Sequence, residues 1–134
     1  MPNTYYIPRS AFEKVRRSAV AADIHEVCFL FLGRGSRIKK VVQVPNRAED
    51  TVLHHVFGTR DFDRVSVRPS LKDLCFLGFL HNHIIIAAAP SPGDIRGYPI
   101  GTLMFIYSDC HDQLRAFRLC GGRAKYKEKS VVIV

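Results

Sequence analysis

His81 and His83 are separated by one residue, and Ser91 and Asp94 follow as a Ser–x–x–Asp pair. At the end of a strand, side chains at i and i+2 project to the same side. Both imidazoles can therefore meet one cation from one face. Asp94, eleven residues after His83, can close the set if the loop folds back. His, His and Asp have the right hardness for zinc and leave a fourth tetrahedral position open for water. Ser91-Pro92-Gly93-Asp94 reads as a helix start, with serine as N-cap, proline at N1 and an acid at N3. That cap would turn Asp94 toward the histidines and hold the Ser91 hydroxyl near the same point. The plainer alternative is an N-capped turn beside two strand histidines, with no metal.

Other polar groups offer less. His54 and His55 point to opposite faces if their segment is a strand, so they cannot both ligate one ion in the ordinary way. Cys110-His111-Asp112 fits a turn between strands better than a second metal site. Gly121-Gly122 is a hairpin signal rather than a phosphate loop. Cys28, Cys75, Cys110 and Cys120 form no Cys-x-x-Cys pair, which leaves a zinc ribbon or thioredoxin-type site without support. Cys28 and Cys75 sit in apolar runs and read as buried thiols.

These residues must be positioned by elements that the pattern of apolar residues predicts. Ser10-Ala11-Phe12-Glu13 reads as a capping box, and Phe12, Val15 and Ala19 give a helix over residues 11–22. Val27 to Leu32 is a continuous apolar run, expected as a strand buried on both faces. Residues 37–44 alternate and read as a half-exposed strand. Residues 51–57 and 62–67 are candidate strands, and residues 74–80 form a buried strand leading into His81. Residues 102–107, 113–119 and 130–134 are three further strands. Buried runs with one strong helix predict a mixed α/β sandwich rather than an all-β barrel.

The chain has 134 residues, 47% apolar and 24% charged, as expected for one ordinary globular domain over residues 1–134. No apolar stretch approaches the roughly 18 residues of a membrane span, and the first residues lack a signal-peptide pattern. The expectation is a cytoplasmic protein with no membrane association. The net charge of +8 favours acidic partners, nucleic acid among them, but the basic residues are scattered and suit a solvated surface.

His81–x–His83, seven residues, Ser91, two residues and Asp94 together resemble the complete motif of the JAMM (MPN-plus) zinc metalloproteases. That family carries a glutamate before an apolar strand ending in glycine, and Glu26, followed by Val27 to Gly33, is similar to it. The resemblance spans roughly residues 5–120. It implies an α/β fold with a mixed central β-sheet flanked by helices, of the JAMM/MPN-like (cytidine-deaminase-like) type. It also implies Zn2+ on His81, His83 and Asp94, Glu26 as general base, and Ser91 as an oxyanion donor. The implied reaction is hydrolysis of an amide or isopeptide bond at the C-terminal tail of a ubiquitin-like or sulfur-carrier protein. Asn82 and Ile84 stand where many deubiquitinating members have serine and proline, and Asn82 resembles the RadC-like branch. The apolar loop from Ile84 through Ile85 and Ile86 to Ala89 either lines a groove for an extended apolar substrate or packs against the core or a partner subunit. Two alternatives remain beside the hydrolase: a non-catalytic protein-interaction module and a RadC-like nucleic-acid-associated protein.

Overall fold

Seven strands and three α-helices follow one another in a computed structural model that describes residues 2–134. Their order is β1 (Thr4–Ile7), α1 (Arg9–Ala22), β2 (Cys28–Arg34), β3 (Arg37–Val44), α2 (Thr59–Ser66), β4 (Cys75–His83), α3 (Pro92–Gly97), β5 (Leu103–Ser108), β6 (Gln113–Leu119) and β7 (Tyr126–Ile133). A 3-10 turn, Pro69–Leu71, precedes β4. Among the described residues no helix is long and apolar enough to cross a membrane.

The sheet is mixed, as the sequence predicts, with strand order β1-β3-β2-β4-β5-β6-β7. It also closes into a barrel, where the apolar pattern predicts a sandwich. Closure depends on β1, four residues that pair in parallel with β7 over its whole length and meet β3 at Tyr6 and Arg37. So short a segment carries too little alternation to be read as a strand.

The two faces of the sheet bury different sets of side chains. Phe29, Phe31, Leu80, Phe105 and Tyr107 share one core with Phe12, Val15 and Ala19 of α1. On the other face Cys28, Leu30 and Leu32 pack with Val65 of α2 and Leu71. A third cluster gathers Met104, Ile106, Phe117 and Leu119 beneath Ala88. Burial on both sides explains why β2 and β5 are nearly unbroken apolar runs.

Several local expectations are corrected. Ser10 does not cap α1; it lies inside the helix, whose N-cap is Pro8. The Pro8 carbonyl instead accepts from the Ala11 and Phe12 amides at 3.0 Å. Residues 51–57 form no named strand, and 62–67 fall largely in α2, where Phe62 and Val65 at i and i+3 serve helical packing. Cys28 is buried as expected, but Cys75 is exposed at the start of β4.

Two pairings bring the chemistry-bearing residues together. β2 runs antiparallel to β4 with Cys28 opposite His81 as the last pair, and Glu26 lies two residues before Cys28 at the histidine end of β4. β4 and β5 are parallel and joined through α3, and the histidines occupy the carboxyl end of β4. Close approach of β4 to β5 requires glycine at position 78, where a Cβ would stand 2.5 Å from the Leu103 carbonyl oxygen. Gly78→Ala is expected to destabilise the fold by about 1–3 kcal/mol, seen as a lowered midpoint in chemical denaturation.

Candidate metal centre

β4 places His81 and His83 on one face and Asn82 on the other. Asn82 is fully buried and acts as a clamp. Its Oδ1 accepts from the Val27 amide at 2.7 Å, and its Nδ2 donates to Asp109 Oδ1 at 2.8 Å. The first of these bonds fixes the chain beside Glu26 against the strand that carries the histidines.

Asp94 arrives from the other direction. Ser91 is the N-cap of α3, and the capping box is formed in both directions. Ser91 Oγ accepts from the Asp94 amide at 3.0 Å, while the Ser91 amide donates to Asp94 Oδ2 at 2.9 Å. Since Oγ accepts here, its own hydrogen is free of partners among the described residues.

The result is an equilateral triangle. His81 Nε2, His83 Nε2 and Asp94 Oδ2 each lie 3.2 Å from the other two. Ligand bonds of about 2.0–2.1 Å in tetrahedral zinc sites set ligand atoms about 3.3 Å apart. The three atoms therefore have the spacing of one face of such a tetrahedron. His83 Nδ1 faces the Ala87 carbonyl at 2.9 Å, so it carries the hydrogen and leaves Nε2 as a lone pair aimed inward. His81 Nδ1 is buried with no hydrogen-bond partner. A donor set this electron-rich, in so little space, fits a divalent cation.

Protonation states follow from the same packing. Burial pushes His81 down to about 4, with nearby His55 adding to the effect and Asp94 opposing it. Burial also lowers His83, but its bonds to Asp94 and the Ala87 carbonyl outweigh that and raise it above the ordinary histidine value. Burial disfavours the charged form of Asp94, yet its contacts with both histidines and the bond from the Ser91 amide hold it well below the usual carboxylate range.

Sequence reasoning set His55 aside, and the structure brings it back. Its segment is not a strand, so the argument from opposite faces does not apply; His54 is exposed while the His55 side chain is only 7% exposed. Atoms of His55, His81 and Asp94 lie within 4.8 Å of one another and could together hold a metal. The rings of His55 and His81, however, stack with centroids 3.7 Å apart and 11° between planes. An ion in the plane of one ring lies well off the plane of the other, where imidazole has no lone pair. His83 is thus the better third partner for an ion held by His81.

Glu26 is 9% exposed and faces His55, with Oε1 3.3 Å from Nδ1. Glu26, His83, Ser91 and Asp94 border one cleft of about 560 Å³. Ile84, Ile85 and Ile86 line it too, and Ile85 and Ile86 are 76% and 53% exposed rather than packed inside.

No family model matches the chain, and no curated protein matches it in sequence. Solved structures do. A protein of Desulfitobacterium hafniense, DSY2949, superposes with a TM-score of 0.81 at 18% identity, over 97% of this chain and 92% of that one. AF2198, a JAB1/MPN domain protein from Archaeoglobus fulgidus, gives 0.63 at 17%, over 96% and 98%. A structure described as JAMM, a metalloprotease-like zinc site in the proteasome and signalosome, gives 0.58 at 14%, also over 96% and 98%. The chain has the JAB1/MPN-type fold.

A metal taken up by the triangle competes with a proton for His83 Nε2. Because that histidine is raised, its proton is present at lower pH and lost as pH climbs through the raised value, so apparent zinc affinity should increase with pH over that window. Calorimetry in buffers of different ionisation enthalpy should show proton release that diminishes as pH climbs through the raised value. His83→Ala should abolish stoichiometric zinc binding and the release together.

Proposed function

We propose that the protein is a zinc-dependent metallopeptidase or isopeptidase. The reading is carried by the His81–His83–Asp94 triangle, its edges matched to a tetrahedral zinc ion, beside a buried glutamate. Zinc at that point lowers the pKa of a bound water to about 7 and polarises a carbonyl.

The chain's own residues divide the remaining work. His81, His83 and Asp94 hold the ion. Glu26 accepts the proton of the attacking water and delivers it to the departing amine, acting as base and then as acid. Ser91, whose hydroxyl hydrogen is uncommitted, donates to the carbonyl oxygen as negative charge grows there. Glu26 borders the same cleft as His83, Ser91 and Asp94, which makes this division possible.

Ile84, Ile85 and Ile86 form an apolar wall for an extended substrate. The substrate class proposed is the C-terminal tail of a ubiquitin-like or sulfur-carrier protein, cut at an amide or isopeptide bond. Among the described residues no lysine or arginine lines the cleft, so the surplus positive charge of the chain is not directed at a phosphate beside the candidate ion. This favours the hydrolase over a nucleic-acid-associated role.

The decisive experiment incubates the protein with ubiquitin-like fusions and conjugates, with and without chelator, and reads the products by mass spectrometry. Cleavage that chelator abolishes and zinc restores is the expected result. Glu26→Ala should retain about one zinc and lose about 100-fold or more of the rate. A Glu26→Ala protein as active as the wild type would remove Glu26 from the mechanism. Ile85→Ser should raise KM with little change in kcat, because it removes contact area and no reacting group.

A further inference from the structure

Among the groups around the cleft, His55 is the one that the proposed reaction leaves without a task. Its side chain is as buried as Asp94, and every edge of the ring is engaged. One face stacks on His81, and Nε2 lies 2.8 Å from the Tyr98 hydroxyl. Nδ1 faces two carboxylates, Glu26 Oε1 at 3.3 Å and Asp94 Oδ1 at 4.0 Å. A lone pair turned toward two anionic groups would be repelled, so Nδ1 carries a hydrogen. Where the ring is neutral, Nε2 is then the acceptor and Tyr98 O–H the donor.

The backbone around His55 is fixed to match. Asn46 Nδ2 donates to the His54 carbonyl at 2.9 Å, and Asn46 Oδ1 accepts from the Val56 amide at 3.0 Å. The same Nδ2 also donates to the Glu26 carbonyl at 3.1 Å. A single asparagine thus ties both neighbours of His55 to the backbone of Glu26. The Glu26 amide in turn donates to the Thr51 carbonyl at 2.7 Å.

We propose that His55 is the positioning residue for Glu26: its Nδ1, within ion-pair reach of Oε1 at 3.3 Å, orients the carboxylate and leaves Oε2 to receive the proton of the attacking water. Glu26 Oε2 has no other partner among the described residues. The inference rests on the reading of Glu26 as general base and adds a residue that acts through it. His55 itself touches no reacting atom.

Two substitutions separate the ring's two contacts. The amide nitrogen of asparagine falls near the place of Nδ1, and that of glutamine near Nε2. His55→Asn therefore keeps a donor for Glu26 and loses Tyr98; His55→Gln does the opposite. With zinc loaded, His55→Asn should stay within about tenfold of the wild-type kcat, while His55→Gln should fall by about 100-fold with KM unchanged. Both should keep one zinc at wild-type affinity. Crystal structures of the two variants give a readout independent of turnover: the Glu26 carboxylate should stay in place in His55→Asn and swing away in His55→Gln. Loss of zinc affinity in both variants would make His55 a metal ligand and overturn the proposal. So would equal kcat in the two, the reverse order, or an unmoved Glu26 in His55→Gln. If wild type hydrolyses nothing, the proposed function fails, and the carboxylate position still decides the role of His55.

Discussion

Three electron-rich atoms are held within 3.2 Å of one another at a place almost closed to water. Without a proton or a cation among them, lone pairs of two imidazoles and a carboxylate repel, and the low dielectric of the surroundings strengthens that repulsion. Much of the nearby structure holds these atoms against separation. The Ala87 carbonyl fixes the tautomer of His83, the capping box of α3 holds Asp94, and the strand ladder on both sides of β4 prevents His81 from turning out. Such preorganisation gives a bound ion its geometry and its open position.

The same constraint explains the polar residues that lie just outside the triangle. Asn82 sits between the histidines in sequence but points through the sheet, and its bond to Val27 makes the loop before β2 follow β4. Asn46 does the equivalent for residues 46–57, which have no regular structure of their own apart from a single bridge between Asn46 and Phe57. Arg47 and Asp61 add a bidentate ion pair, at 2.8 and 2.9 Å, that anchors this segment to α2. Irregular backbone is thus kept still beside the site by side-chain hydrogen bonds in place of a ladder.

Among the described residues, no lysine or arginine lines the cleft. Leu53, Val56, Ile85 and Ile86 are all about half exposed or more around its mouth. Apolar side chains left in water beside the candidate metal centre are a standing cost unless something covers them. The cleft volume lies within the range of roughly 300–1,000 Å³ typical of ligand sites.

The sequence by itself determined the parts that local chemistry dictates. The i, i+2 spacing put His81 and His83 on one face, and Ser–x–x–Asp after proline-rich chain specified a capped helix that turns Asp94 inward. Apolar runs located β2, β4 and β5 to within a few residues. What tertiary structure decided is everything that depends on a partner far along the chain. β1 is a strand because β7 and β3 flank it, and α2 is a helix because Phe62 and Val65 meet the outer face of β2 and β4. Glu26 is brought to the site by the Val27–Asn82 bond, across 55 residues, and His55 by Asn46 of its own connection, which also binds the Glu26 carbonyl 20 residues away. Spacing along a chain encodes only neighbours within one element; contacts across elements arise when separate apolar faces are buried together, and only then do His55 and Glu26 meet.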